Sequence, residues 1–507
     1  MRTKPRKNEP FLGIREVTLG DSSITHMEQC FSPLKARTGS VTPRIYQKYE
    51  IPNWDLPKLH AYLDMIKAFG FNSVQLYDQW ESYLDAGWGN QEAIWDSLIE
   101  DGWRGEPRDW PAKVDAVGDY ARAIGLRATI FIWGNTGFDA RTGRAFWALC
   151  PNDPVEREVL EHYWEQQARH AAHFDHLVTH WGDPGGCSRN GCTIQTAQHC
   201  HNEIVARCRR HNANIESTFS LWMLDSKRFG KWPGYEGPGT ILDSGILPDD
   251  VMLCVHGEPG IFDYGQIRTI TNAGRRAGVW AWYLANNEIY PSMFVCTARL
   301  KQHFAGLPAD AHERITWHSV DSNNHTVNLH NLYVASRLML DPSTDASAAL
   351  RDFTAGAFGT ENAGHAARAL EIIETLRPLW CEKYGREPLD VALAREADAR
   401  AREIVVADDF EPAFPMPITP RELADEIVAQ TDAMRAFAEF TAAVEGVRKM
   451  IEKGAPAGEV KTAVAGLPTV AKPTEYLTNL EYCHYLAIRA DLDAAETSDA
   501  ATSQFRP

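Results

Sequence analysis

Short runs rich in β-branched and aromatic residues alternate with amphipathic stretches from residue 11 to about residue 340. In the stretch 56–70, for example, apolar residues recur at helical spacing before Gly70 ends the pattern. Regular alternation of strands and helices is typical of a parallel sheet with crossover helices. Eight strands are predicted, at 12–21, 72–78, 126–133, 176–183, 214–222, 251–258, 279–288 and 314–321. Further helices are predicted at 112–125, 153–173, 195–211, 263–277 and 292–305, with a weaker one at 240–247.

Eight strands with intervening helices predict an α/β fold, a (β/α)8 TIM barrel over residues 11–342, with an open doubly wound sheet as the alternative. The β-rich runs stop near residue 340, and Ala, Glu, Arg and Leu dominate afterwards. We therefore expect a mostly helical C-terminal domain over 343–495. Residues 1–10 are predicted to be a flexible tail and residues 496–507 a disordered one.

The 507 residues carry a formal net charge of -17, which argues against a nucleic-acid partner because such proteins concentrate Lys and Arg. No leader-like segment and no apolar run of membrane-spanning length is found, so we expect a cytoplasmic protein without a membrane partner. Ten scattered Cys suit a reducing compartment, and we expect neither disulfides nor a cofactor.

In barrels of this kind the active site lies at the carboxyl ends of the strands, so polar and aromatic residues there are candidates for substrate binding. The 16 Trp are numerous enough to suggest aromatic platforms for sugar rings, although at least half of the candidates are expected to be core residues. The strand-end candidates are Tyr77, Asp78, Trp133, Asn135, His180, Trp181, His256, Asn287, Trp317 and His318, with Trp80, Trp222 and Trp282 as further platforms.

Three carboxylates follow predicted strands: Asp183 the fourth, Glu258 the sixth and Glu288 the seventh. Hydrolysis of a glycosidic bond usually needs one carboxyl group to protonate the leaving oxygen and another to attack or to activate water. Each carboxylate could also have a simpler role: Asp183 as the start of the turn "GDPGG", Glu258 as a solvated loop residue, and Glu288 in an ion pair at the rim. Their joint placement favours catalysis.

The stretches "CPNDPVEREVLEHYWEQ", "FDHLVTHWGDPGGCSRNGC" and "NLYVASRLMLDPSTDASAALRDFTAGAFG" resemble the barrel and helical domain of the family 67 α-glucuronidases and related barrels of the β-N-acetylhexosaminidase superfamily. The resemblance implies an inverting hydrolase with Asp183 as general acid and with Glu258 and Glu288 positioning and activating water. It also implies a homodimer formed through the C-terminal helices. Two features depart from that family: it has Glu at the position of Asp183, and its N-terminal domain has no counterpart here.

The hexosaminidase branch relies on adjacent Asp and Glu after the fourth strand, whereas Pro184 follows Asp183 here, so an N-acetylhexosaminidase is disfavoured. A uronic acid substrate would need a cationic partner for its carboxylate. Arg15 is the preferred candidate because its fork matches both oxygens, with His256 and His318 as others. The alternative for Arg15 is a buried ion pair.

Cys187, Cys192 and Cys200 lie close to His199 and His201, which raises the question of a zinc site. The spacing C-x4-C-x7-C lacks paired C-x-x-C hooks, and a helix at 195–211 would turn His199 and Cys200 in different directions. The sequence therefore favours buried thiols without a metal, with a thiol lining the sugar pocket as a further alternative.

Together these features predict a glycoside hydrolase that acts on a terminal sugar, with a uronic acid as one candidate, of an oligosaccharide or glycoside. The mechanism would use two carboxylates, with inversion, and no metal. Two alternatives stay open: a metal-dependent barrel hydrolase or isomerase that uses His180, Asp183 and His256, and a carbohydrate-binding barrel without catalysis.

Overall fold

The strands of the computed structural model form one closed barrel in which every neighbouring pair is parallel. The structure describes residues 10–19, 54–77, 110–135, 149–181, 187, 189–222, 224–226, 230–257, 262–284, 293–322, 327–377, 389–471, 476–477, 481, 484–489 and 492. The barrel strands are β1 (Ile14–Leu19), β2 (Ser73–Tyr77), β3 (Arg127–Trp133), β4 (His176–His180), β5 (Glu216–Ser220), β6 (Met252–His256), β7 (Ala277–Leu284) and β8 (Ile315–Ser322). A short antiparallel hairpin joins Asp225–Ser226 to Gly230–Lys231.

Strand order around the barrel follows the chain, and β1 closes it by pairing with both β2 and β8. In this register Glu16 lies opposite Ser73 on one side and Ser319 on the other. The predicted TIM barrel is confirmed, and the open doubly wound sheet is excluded because β1 has two partners.

Helices connect the strands and continue beyond the barrel, as the sequence predicts. They are α1 (Leu56–Phe69), α2 (Trp110–Ala123), α3 (Pro154–Arg169), α4 (Ile194–Arg209), α5 (Pro238–Ser244), α6 (Tyr264–Asn272), α7 (Thr297–Ala305) and α8 (Ala311–Arg314). Those that follow β8 are α9 (Leu329–Leu340), α10 (Ala346–Phe358), α11 (Thr360–Leu376), α12 (Val391–Arg402), α13 (Pro420–Glu452) and α14 (Ala457–Ala465).

Local sequence explains where the helices begin and end. Asp55 caps α1 by accepting a hydrogen bond from the Lys58 amide, and Gly70 ends it in the left-handed region with φ 102°. Asp153 caps α3 in the same way, with Pro154 at the first helical position, where its missing N–H costs nothing. These caps fix where the two helices begin and where α1 ends.

The apolar core is continuous from the barrel into the C-terminal helices. One cluster of buried residues extends from Leu12 through the barrel to Ala438 on α13. A second cluster packs the far part of α13, including Phe440 and Val444, against residues near the end of the chain. The predicted division between residues 342 and 343 falls in the connection between α9 and α10, which the shared core crosses.

Within the described ranges, none of the helices has the length and apolar character needed to cross a membrane.

Glycines make room for tryptophan rings around the strands. A Cβ placed on Gly134, just after β3, would lie 2.4 Å from ring carbons of Trp181, and one on Gly278 would lie 2.4 Å from the ring of Trp317. Both tryptophans are fully buried, so neither ring can retreat into solvent. A side chain at either glycine must therefore displace a rigid aromatic ring.

We expect Gly134→Ala to destabilise the protein by about 1–3 kcal/mol, the usual cost of overpacking a core. Gly239→Ala is the matched control, because a Cβ at this helical position meets no atom within 4 Å. Urea denaturation followed by tryptophan fluorescence measures both. Equal stabilities for the two variants would show that the contact with Trp181 does not constrain Gly134.

Candidate active site

The amino-terminal half of the barrel interior is closed by a polar network around Glu16. Its Oε2 accepts hydrogen bonds from the hydroxyls of Ser73 and Thr129, each at 2.6 Å. The Thr129 hydroxyl also lies 3.2 Å from Nδ1 of His176, whose Nε2 lies 2.7 Å from the Thr218 hydroxyl. This network fills the lower interior.

Burial dominates the electrostatics of that network. Removal from water raises the pKa of the Glu16 carboxyl above its usual value, although the Ser73 and Thr129 donors and the Arg127 charge act in the opposite direction. Burial likewise holds the pKa of His176 well below its usual value, and the cations of Arg127 and Arg276 lower it further. The neutral imidazole is therefore the favoured form of His176.

Aromatic rings surround the carboxyl ends of the strands, where barrel active sites lie. The ring of His180, the last residue of β4, lies 4.7 Å from the rings of both Trp133 and Trp222. Trp222 in turn lies 5.1 Å from His256, at the end of β6, and 5.2 Å from Trp280 on β7. These five residues, Trp133, His180, Trp222, His256 and Trp280, are called the aromatic mouth below.

His180 lies at the centre of the aromatic mouth. Its Nδ1 is 3.1 Å from the Ser220 hydroxyl, while its Nε2 has no hydrogen-bond partner among the described residues. Burial, reinforced by the neighbouring His256, holds the pKa of His180 well below its usual value. The neutral ring can therefore donate to a ligand or accept from it, depending on the tautomer.

Asn135 follows β3 beside the mouth and is fully buried. Neither its amide nitrogen nor its amide oxygen finds a hydrogen-bond partner in the part of the chain that the structure describes. The backbone there is fixed, since Gly134 donates to the carbonyl of His180 at 2.8 Å and Trp164 donates to the carbonyl of Gly134. A buried amide held in this way is ready to bind a polar ligand.

The three predicted catalytic carboxylates, Asp183, Glu258 and Glu288, lie outside the described residues, as do Asp78, Trp80 and Asn287. Tyr77 ends β2 and Trp282 lies in β7, and for these two only the backbone is described. The structure does describe the strands before two of these carboxylates. The strand before Asp183, β4, ends at His180, and the strand before Glu258, β6, ends at His256, both in the aromatic mouth.

The prediction that Arg15 binds a substrate carboxylate is corrected. Arg15 lies near the start of β1, at the opposite end of the barrel from the mouth. Its guanidinium donates to the backbone carbonyls of Leu12, Gly13 and Gly70, so it ties the amino-terminal entry of β1 to the end of α1. The acceptors among the described residues are carbonyls, so the predicted alternative of an ion pair has no partner in that part of the chain.

Trp181 and His318 face away from the interior and do not belong to the mouth. The Trp181 indole donates to the outward Thr179 hydroxyl at 3.0 Å and its ring stacks on Phe219. His318 lies 3.1 Å from His303 of α7, between their Nε2 atoms. Both predicted binding residues therefore pack between the barrel and its helices.

Trp317 does point inward, but towards the lower network. Its ring lies 6.1 Å from that of His176, and its indole interacts with the Glu16 carboxyl. It is a core residue of the lower interior, so its predicted role in the sugar platform is corrected too.

The sequence predictions omit two residues of interest. Trp280 lies in the middle of β7, and the inward–outward alternation of a barrel strand could have indicated it. Cys150 gave no such signal, because it lies far from Cys187 and Cys192 in the sequence. The fold brings these three thiols within 4.8 Å of one another, whereas the thiol of Cys200 contacts Arg157.

No protein-family model matches this chain, and no curated protein matches it in sequence. Solved structures match its fold. A family 138 glycoside hydrolase that targets the pectin rhamnogalacturonan II is 10% identical, with a TM-score of 0.52 over 96% of this chain and 84% of that one. A family 89 glycoside hydrolase from Clostridium perfringens, in complex with PUGNAc, is 11% identical, with a TM-score of 0.52 over 84% and 52% of the two chains. A variant of the family 89 enzyme in complex with its substrate, GlcNAc-α-1,4-galactose, has a TM-score of 0.53 at 11% identity, over 98% and 58%.

This chain spans just over half the length of the family 89 structures. At such low identity the likeness concerns the architecture, a barrel followed by helices.

The raised pKa of the Glu16 carboxyl predicts that the stability of the protein depends on pH. Because its folded pKa is raised, its contribution is fully present below the ordinary carboxyl pKa and is lost as the pH rises through the folded value. Glu16→Gln keeps the shape of the side chain but cannot ionise. As the pH rises through this range, we expect the unfolding free energy of the wild type to fall relative to that of the variant.

The measurement is the urea midpoint as a function of pH for the two proteins. Glu459→Gln, at an exposed position on α14, serves as the control and should follow the wild-type curve. Parallel curves for wild type and Glu16→Gln would contradict a raised pKa at Glu16.

Proposed function

We propose that the protein is a glycoside hydrolase that removes a terminal sugar from an oligosaccharide or glycoside. One observation carries the proposal: the aromatic mouth lies where barrel active sites lie, and strands that form it are followed closely by acidic residues. Among the described residues, Nε2 of His180 and the side-chain amide of Asn135 have no hydrogen-bond partner there. Asp183 comes three residues after His180, Glu258 two after His256 and Glu288 four after Leu284. A separation of four residues or fewer spans at most about 14 Å of extended chain.

The described residues of the mouth suit a sugar. Aromatic faces bind the C–H patches of the ring, while Nε2 of His180 and the amide of Asn135 are available to hydroxyl groups. An unpartnered buried polar group costs about 1–3 kcal/mol, which a hydrogen bond from a ligand would offset. The burial that keeps His180 neutral also avoids a fixed positive charge beside an uncharged substrate.

In the proposed reaction Asp183 is the general acid and protonates the glycosidic oxygen as the bond from the anomeric carbon to that oxygen breaks. Glu258 and Glu288 form the base side, where one carboxylate takes a proton from the water that attacks the opposite face of the sugar. Attack on the opposite face inverts the anomeric carbon, and room for that water requires carboxyl groups about 6.5–9.5 Å apart.

The fold comparisons support this class of reaction, since the family 138 and family 89 structures are those of glycoside hydrolases. The family 67 α-glucuronidase assignment and its uronic acid substrate have less support. Arg15, the preferred partner for a uronate carboxylate, lies at the opposite end of the barrel from the aromatic mouth and donates to backbone carbonyls there. We therefore propose the broader class, a terminal sugar, and leave its charge to the substrate screen below.

The second candidate is a metal-dependent hydrolase or isomerase, favoured by one observation, the proximity of His180 and His256 around Trp222. It predicts that His256→Gln abolishes activity through loss of a bound metal. The glycosidase predicts instead that the metal content of this variant equals that of wild type. A barrel that only binds carbohydrate, the third hypothesis, predicts binding without turnover. The cytoplasmic location and the homodimer through the C-terminal helices also stay predictions.

Replacement of the acid or the base should nearly abolish turnover. We expect Asp183→Asn and Glu258→Gln each to lower kcat by about 10²- to 10⁴-fold, the usual contribution of general acid or base catalysis, while thermal unfolding stays unchanged. A screen of aryl glycosides and of neutral and uronic acid oligosaccharides first identifies the substrate. Glu403→Gln, exposed at the end of α12, is the control and should retain full activity. Near-normal turnover in both Asp183→Asn and Glu258→Gln would refute the assignment.

The stereochemistry provides an independent test. Proton NMR of the first product formed identifies its anomer before mutarotation. Inversion should give the anomer opposite to that of the substrate. A retained anomer would leave the hydrolase class intact but exclude the proposed roles of Glu258 and Glu288.

A further inference from the structure

Three buried thiols meet at the carboxyl end of the barrel, outside the aromatic mouth. The sulfurs of Cys150, Cys187 and Cys192 all lie within 4.8 Å of one another, and those of Cys150 and Cys192 are 3.5 Å apart. Among the described residues no other group of three His, Cys, Asp or Glu side chains converges in this way.

Two chain segments are built to bring these thiols together. Cys187 and Cys192 flank a tight turn in which Asn190 and Gly191 adopt positive φ values of 49° and 68°, and the Cys192 amide donates to the carbonyl of Arg189 at 2.9 Å. Two consecutive left-handed residues cost conformational energy, so the turn needs compensating contacts. Its geometry directs both sulfurs to one side.

Cys150 reaches the same point from the segment that precedes α3. The amide of Cys150 donates to Glu156, whose carboxylate forms a bidentate ion pair with Arg189 of the turn. The side chain of Asn152 donates to the carbonyl of Asn190 at 3.0 Å. These bonds clamp the two segments, so the position of the three sulfurs is fixed by polar contacts that do not involve sulfur.

We infer that Cys150, Cys187 and Cys192 bind a zinc ion as thiolates. Zinc prefers sulfur and nitrogen ligands in a tetrahedron with Zn–S bonds of about 2.3 Å, which places sulfurs about 3.8 Å apart. The Cys150–Cys192 distance of 3.5 Å is close to that edge, and the other two pairs, which lie within 4.8 Å, require a contraction of at most about 1 Å to reach it. Three thiolates leave one tetrahedral position for a further donor such as water.

The surroundings favour thiolates once a cation is bound. Without one, the three thiols lie together with the Arg189 carbonyl as an acceptor near two of them. With zinc, the guanidinium of Arg189 and the amide of Asn190, which lies 3.6 Å from the Cys150 sulfur, stabilise the negative charge of the sulfurs. The arrangement resembles a metal site more than a packed core.

Neither a disulfide nor the triplet suggested by sequence spacing accounts for all three thiols. A disulfide between Cys150 and Cys192 would leave Cys187 beside it without a role. The triplet with Cys200 as third ligand fails because Cys200 lies on α4 and contacts the guanidinium of Arg157 at 3.2 Å. Cys200 is therefore a natural control.

The site would also have a structural role. Cys187 comes four residues after Asp183 in the chain, and β4 precedes both. The segment from β4 to Cys187 contains Asp183, and zinc bound to Cys187 would anchor the end of this segment that is farther from β4. The metal site does not depend on the proposed function, because its binding can be measured without any substrate.

Metal analysis of the full-length protein, purified without a metal-affinity tag, tests the inference. We expect about one zinc per chain in the wild type. Cys187→Ser and Cys192→Ser should each lose stoichiometric zinc, whereas Cys200→Ser should retain it. Alkylation without reductant followed by mass spectrometry counts the thiols in the same samples.

Cobalt substitution of the wild-type protein keeps the test decisive if the Ser variants fail to fold. Intense thiolate-to-cobalt charge-transfer bands, with the visible bands of a tetrahedral ion, would support the site. Three outcomes would overturn it: wild type that neither contains nor acquires zinc, loss of zinc from Cys200→Ser with retention in Cys187→Ser, or a Cys150–Cys192 disulfide in the freshly purified protein.

Discussion

A closed barrel of eight strands has a narrow interior that the inward side chains of all eight strands must fill, and this constraint governs the rest of the molecule. Here the filling residues are unusually large. Trp280 spans the middle of the interior and donates to the Thr18 hydroxyl at 3.2 Å, while Trp317 lies against Gly278, where any side chain would collide with it. Such rings fit only where a neighbouring strand offers a glycine or a small polar residue.

The same constraint gives the two ends of the barrel different chemistry. At the lower end the hydroxyls of Ser73 and Thr129 both donate to Glu16, so the buried acid has hydrogen-bond donors within the barrel. At the upper end His180 and Asn135 retain polar atoms without partners among the described residues. A protein tolerates such a cost where a ligand repays it, which is why the upper end is the candidate site.

The sequence predicts the strands and the helices, because these depend on local periodicity and on a chirality that such barrels share. It was insufficient for the direction of single side chains. His180 and Trp181 are adjacent, so on a strand one must face inward and the other outward, yet both were assigned to the site. Arg15 lies near the start of the predicted strand 12–21, so its position in the chain already argues against a role at the carboxyl end of the barrel.

The thiol cluster brings together residues whose proximity the sequence does not indicate. Spacing groups Cys187 and Cys192 with Cys200, but α4 carries Cys200 away towards Arg157. Cys150 lies just before α3 and Cys192 just before α4, and these helices follow β3 and β4, which are hydrogen-bonded neighbours in the barrel. Ligands of a site in such a fold are therefore best sought in the connections after adjacent strands, whatever their separation in the chain. Asp183, Cys187 and Cys192 all lie in the connection after β4. Because only three residues separate Asp183 from Cys187, a fixed position of the cluster would restrict where the proposed acid can lie.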